Sequence, residues 1–200
     1  MSTLEWVLVV GAVIAAITVA LSTTAGRLDR LHIRLATAQA SLDRQLLERS
    51  TLLKELATSG LLDPASALVA VEAADAARAS RGTAMQAERE SDLSEVIRTI
   101  FGEAADVDRL WRDADETQRE VLADFGDAAD RVRLAHHFHE DLVARTVRMR
   151  SQPVVRWGHL AGHAPWPRRI DLDDAPPPGL VAHERPPSGH EPGVGGADVR

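Results

Sequence analysis

The sequence predicts an all-α protein: an N-terminal transmembrane helix, an antiparallel bundle of three long helices, and a disordered C-terminal tail. Three observations carry this prediction. The run Trp6–Gly26 holds no charged residue and is dominated by Val, Leu, Ile and Ala. From Leu28 to about Gln152, apolar residues recur at alternating steps of three and four, the period of a buried helical stripe. From about Asp171 onward, Pro, Gly, Ser and charged residues replace any apolar period, the composition of a segment that cannot bury a core. The expected divisions are 1–26 for the anchor, 27–170 for a cytoplasmic helical bundle and 171–200 for the tail.

The anchor is about twenty-one residues, roughly 31 Å as a helix at 1.5 Å per residue, against a bilayer core of about 30 Å. Val7, Leu8, Val9, Val10, Val13, Ile14, Ile17, Val19 and Leu21 favour insertion by about 3–5 kcal/mol together. A secretory signal peptide is the rival reading. It requires a positive n-region, and Met1–Glu5 holds no Lys or Arg. Arg27, Arg30 and Arg34 follow the span, so the positive-inside bias places the N-terminus outside and the rest of the chain in the cytoplasm. Trp6 suits the outer interface. The expected location is therefore the inner (cell) membrane, with the bilayer itself as partner through Trp6–Gly26.

Beyond the span, Leu28, Leu31, Leu35, Ala38, Leu42, Gln45, Arg49, Leu52 and Leu56 form the seam of a first, coiled-coil-like helix. No Pro or Gly interrupts Arg27–Ser59, so the transmembrane helix is expected to run on, loosened only at Gly26. Gln45 and Arg49 are polar members of this seam that fix register or reach its rim with buried stems. Gly60 can end the helix, and Asp63-Pro64 reads as an N-cap and first helical position. The second helix is Ala-rich through Ala79, bends at Gly82-Thr83, and resumes with Leu93, Val96, Ile97 and Ile100 on one face. Phe101-Gly102 marks a second turn. The third helix covers about Asp106 to Gln152, with a seam through Leu110, Ala114, Thr117, Val121, Phe125, Ala128, Val132, Ala135, Phe138, Leu142, Thr146 and Met149. Pro153 stops it, and Arg145, Arg148 and Arg150 complement the dipole of its last turns. Val154, Val155, Trp157 and Leu160 form a short apolar patch. Three antiparallel helices would carry that patch to the end of the bundle far from the bilayer, near Leu61 and Leu62.

Composition narrows the chemistry. There is no Cys, which excludes disulfides, thiolate metal sites and a Cys nucleophile. The net charge of −7 argues against general nucleic-acid binding. Lys54 is the only lysine in an Ala- and Arg-rich chain, a bias typical of GC-rich bacterial genomes. His136, His137, His139 and Glu140 are the obvious metal candidates. His136 shares a helix face with His139 and Glu140, but the spacing matches no zincin pattern. His159, His163, His183 and His190 are scattered. Carboxylates on the second and third helices read as a solvated face. No nucleophile elbow, phosphate loop or dinucleotide fingerprint is present. The expectation is no catalytic residue, no cofactor-binding residue, no metal ligand and no enzyme.

The stretch Leu42-Asp43-Arg44-Gln45-Leu46-Leu47-Glu48-Arg49-Ser50-Thr51-Leu52 resembles the I-D-x-Q-L-x-x-R-x-x-L motif of the LemA family of bacterial membrane proteins. Phe138-His139-Glu140-Asp141-Leu142 stands where that family has Y-N-x-x-V. Pro153, the apolar segment through Leu160 and Pro167-Arg168-Arg169-Ile170-Asp171 resemble its closing elements. The chain departs from the pattern at Phe138-His139, at Leu53-Lys54, where a proline often follows the first motif, and at Gln152, where a Phe precedes the late proline. The resemblance spans roughly residues 4–174. It implies a single anchor, an outside N-terminus and a cytoplasmic bundle of long helices, and no established activity.

The leading expectation is thus a membrane-anchored interaction or scaffold protein of the LemA type, with unknown cytoplasmic or membrane protein partners. A self-associating structural or sensory membrane protein is the first alternative, and a weak His-based metal-binding protein the second.

Overall fold

The computed structural model describes residues 2–158, 166–167 and 169–182. Every regular element among them is a helix. The first, α1 (Thr3–Thr58), is 56 residues long and passes through Gly26 without a break. Ser2 caps it: its hydroxyl accepts from the Glu5 amide while the Glu5 carboxylate accepts from the Ser2 amide, so two orphan N–H groups are satisfied reciprocally. Its N-terminal part is long and apolar enough to cross a membrane, and none of that window is buried inside the protein. The helix ends at the C-cap Ser59, followed by Gly60 at φ 82°, a left-handed conformation that favours glycine.

The predicted cap at Asp63 is formed. Its carboxylate accepts from the Ala65 and Ser66 amides, and Pro64 opens α2 (Pro64–Ala79). The predicted second helix is in fact two helices. Gly82, at φ 73°, reverses the chain, and α3 (Gln86–Ile100) packs back along α2 as a helical hairpin. A residue that adopts the left-handed region ends a helix rather than bending it. The third predicted helix is also divided. Ala114 is extended, and Asp115 forms a capping box with Gln118, so α4 (Ala104–Asp113) and α5 (Glu116–Arg150) are separate. A five-residue turn, α6 (Pro153–Trp157), and a short α7 (Pro178–Ala182) complete the described elements.

The extra reversal changes where the chain ends up. Because α2 and α3 together return the chain to the far end, α5 runs antiparallel to α1 all the way back toward the apolar span. Arg145, Arg148, Met149 and Gln152 line one groove with Thr24, Arg27 and Leu31 of α1. The patch Val154–Trp157 therefore sits beside the apolar span and not at the far tip near Leu61 and Leu62, which corrects the sequence-based placement. Leu160 lies outside the described residues.

Among the described residues, two buried clusters hold the body together. The larger, at the far end, joins Leu53, Leu56, Leu93, Ile97, Phe101, Val107, Leu122 and Phe125 with Ala70, Ala74 and Ala77 of α2. Phe101 and Phe125 meet with ring centroids 5.2 Å apart. The smaller consists of Leu42, Leu46, Val132 and Leu172. On α5 the predicted seam residues Phe125, Ala128, Val132 and Thr146 are buried, but Leu122, His139 and Val143 are buried as well, whereas Phe138 is 56 % exposed. The step of seven from Val132 reaches His139, and the polar ring follows the helix period inward although Phe138 is the more apolar neighbour.

Leu172 belongs to the segment expected as a disordered tail from Asp171. Residues 171–182 instead lie along the body. Asp173 pairs with Arg98 at 2.7 Å and its amide donates to the Ser91 hydroxyl. The Gly179 amide donates to the Phe101 carbonyl, and α7 packs on α4. Prolines 176–178 lack amide donors but do not prevent an extended strap from docking through its neighbours. Residues 183–200, with His183 and His190, lie outside the described residues.

Candidate functional site

The strongest candidate is a cavity of about 910 Å³ between α1, the start of α3, α5 and the 166–172 strap. One apolar wall is Leu35, Ala36 and Leu46 of α1, and Ala84 and Ala87 contribute another. Ile170 and Leu172 close the strap side. Polar groups enter at His32, Gln39, Gln86, Glu90, His139, Arg169 and Asp171. A mostly apolar cleft with a few converging polar groups is the usual form of a binding site.

Beneath this cavity lies an ion pair removed from water. The Arg49 guanidinium donates to the Glu90 carboxylate at 2.9 Å, and the two side chains are 5 % and 4 % exposed. Arg49 also donates to the Ser94 hydroxyl and to the Glu90 carbonyl, so one α1 side chain holds a full turn of α3. Burial pushes the Glu90 carboxyl above its ordinary range, opposed by the Arg49 charge. Burial likewise lowers the Arg49 guanidinium, opposed first by Glu90. The sequence places Arg49 at the register or the rim of the seam; the structure buries it in full. Gln45 does reach the rim, accepting from Arg131, which also pairs with Glu48 at 3.0 Å. Asp43 accepts from Gln39 and from Gln86, tying α3 to α1 at the cavity mouth.

Glu90 escapes sequence reasoning because it stands among carboxylates that read as a solvated face. Its signal is positional: Glu90, Leu93, Ser94 and Ile97 stand at the i, i+3, i+4, i+7 spacing of one face, and all four are buried.

The histidines divide. His136 holds the strap: its Nδ1 lies 2.9 Å from the Asp174 carboxylate and its Nε2 3.0 Å from the Ile170 carbonyl. Glu140 accepts from the Ile170 amide and pairs with Arg169 at 3.6 Å. His137 is exposed. His139 is 2 % exposed and lines the cavity; its Nδ1 makes no hydrogen bond and lies 3.6 Å from Glu140. Burial holds its imidazole below the ordinary value, Glu140 opposes this, and the neighbouring His136 adds to it. The Nε2 of His32, across the cavity, is likewise buried without a hydrogen-bond partner. Among the described residues no group of three or more His, Asp or Glu side chains is arranged to hold a metal ion. His159 and His163 lie outside the described residues.

Leu46 of α1, His139 of α5 and Pro167, Arg169, Ile170 and Asp171 of the strap meet at this cavity. They are far apart in the chain and are joined only by the fold. No family model, curated protein or solved structure matches this chain.

Proposed function

We propose that this chain is a membrane-anchored interaction protein of the LemA type, without a reaction of its own, whose cavity between α1, α3, α5 and the strap receives its partner. The observation that carries the reading is the convergence of Leu46, His139 and Ile170-Asp171 on one cavity above a buried Arg49–Glu90 pair. The buried Nε2 of His32 makes no hydrogen bond within the described residues and leaves donor or acceptor capacity facing the cavity. The uninterrupted α1 supports the anchored part of the reading, since one helix continues from the apolar span into the core. In this reading the N-terminus is outside and the body is cytoplasmic, with Arg27, Arg30 and Arg34 at the inner face.

A photo-crosslinking residue in place of Ala87, in the cavity wall, tests it in intact cells. The expected result is a discrete adduct that is absent when the same residue replaces exposed Glu95. Identical patterns from both positions, or no adduct from Ala87, would overturn the reading. A membrane-impermeant thiol reagent applied outside should label Ser2→Cys and not Glu95→Cys if the orientation is right. Cross-linking to a second copy of the chain from Ala87 would favour the self-associating alternative.

A further inference from the structure

We infer that the α5–α6 corner is a membrane-surface element that docks on anionic lipid headgroups beside the chain's own span. The inference rests on the anchored reading above and adds a second contact with the bilayer.

Four observations converge on it. First, α6 packs on both α1 and α5. Second, from residue 2 to Arg27 the helix α1 is exposed except at Leu21, Thr24 and Ala25, where it is half-buried. Those residues lie within about 8 Å of Gly26 along the helix, so what covers them stands at the level where hydrocarbon gives way to headgroups. Third, α6 is two-sided. Val155 is 1 % exposed and holds the turn in place, while Trp157 is 87 % and Val154 51 % exposed. Open water is a costly place for such a pair, and Trp favours the headgroup level because its ring is apolar and its N–H is polar. Fourth, the same level is basic although the chain as a whole carries −7. Exposed Arg27, Arg30 and Arg34 of α1 are joined there by exposed Arg145, Arg148 and Arg156. Among the described residues two acids stand there: Asp29, and Asp141, which pairs with Arg145 at 2.7 Å.

The helix-dipole account of the α5 arginines explains their place on the helix but not their gathering with the arginines that follow the span. Charge complementarity to anionic headgroups explains both. Docking would hold α5 as well as α1 at the bilayer and so fix the tilt of the whole body.

The absence of Cys makes the test direct, because one introduced Cys labels one site. The full chain is reconstituted in phosphatidylcholine vesicles with and without phosphatidylglycerol. An environment-sensitive fluorophore is placed at Gly158→Cys, with Ile17→Cys and Thr58→Cys as references. With phosphatidylglycerol, the label at 158 should be quenched by a headgroup-level quencher and shielded from aqueous iodide. The label at 17 should respond to a deep quencher and that at 58 to iodide. Trp157→Ser, or Arg148→Gln with Arg156→Gln, should release the label at 158, the docked-to-undocked ratio falling about fivefold per charge removed. A label at 158 that behaves like that at 58, while 17 stays in lipid, overturns the docking and leaves the anchor intact. Iodide access at 17 overturns the anchored reading itself. Equal shielding without phosphatidylglycerol overturns the recognition of anionic headgroups.

Discussion

Arg49 and Glu90, forty-one positions apart in sequence, form a 2.9 Å ion pair that is nearly closed to solvent. It is the cross-member between α1 and α3, and the candidate cavity is built over it. Breaking a buried pair strands a charge, whereas replacing both partners by apolar groups removes the desolvation cost as well. Arg49→Met and Glu90→Leu should each destabilise the protein by about 3–5 kcal/mol, and the double substitution should recover most of that loss. Denaturant titration followed by far-UV circular dichroism measures all three. Single variants within experimental error of wild type would show that the pair does not hold α3. The exposed Lys54–Asp75 pair, also well formed at 2.8 Å, should contribute only about 0–1 kcal/mol in the same assay.

Acid should loosen the cavity through His139. Its imidazole is held below its ordinary value chiefly by burial, so the unfolded chain binds the proton more readily than the folded one. Stability from this group is complete above the free imidazole value of about 6.5 and declines as pH falls from there toward the lower folded value. His139→Leu should flatten that slope. A wild-type stability that rises on acidification through this window, or a slope unchanged in the variant, would contradict the assignment.

Gly179 is where the strap meets the body most closely. A Cβ there would stand 2.5 Å from the Phe101 carbonyl oxygen, 2.8 Å from Val107 Cγ2 and 2.9 Å from the Glu103 carbonyl oxygen. Backbone atoms cannot rotate away, so Gly179→Ala should lift α7 from α4, with an overpacking cost of about 1–3 kcal/mol. Limited proteolysis followed by mass spectrometry should show faster cleavage within 171–182. Unchanged cleavage would mean that the strap is not docked through this contact.

Gly82 sets the hairpin between α2 and α3. At φ 73° an alanine costs about 1–2 kcal/mol, because its Cβ crowds the neighbouring carbonyl. Gly82→Ala should lower the melting temperature, and Gly82→Asn should lower it less, since Asn tolerates the left-handed region better. Equal melting temperatures for all three chains would remove Gly82 as the cause of the reversal.

Local signals carried the parts of the fold that local physics controls. The continuous helix through Gly26, the Asp63-Pro64 start and the stop before Pro153 follow from caps, ring constraints and an apolar period, all acting within a few residues. The break between α4 and α5 was legible in the same way, as the Asp115…Gln118 capping box, but the apolar seam running across it hid it. The site was less legible. The sequence marked Arg49 as a polar seam residue and His139 as a metal candidate, but it held no record that Glu90 is Arg49's partner or that Ile170 closes the cavity over His139.

By itself, then, the sequence determined an all-helical chain with an apolar N-terminal helix long enough to span a bilayer, because hydrogen bonding and side-chain period along a helix reach only about four residues. Only the tertiary structure decided that one left-handed glycine makes a hairpin, that α5 therefore ends beside the apolar span, and that residues 171–182 lie on the body. Each of these depends on which surfaces meet across the bundle, and burial is settled by the partner an element finds and not by the residues within it.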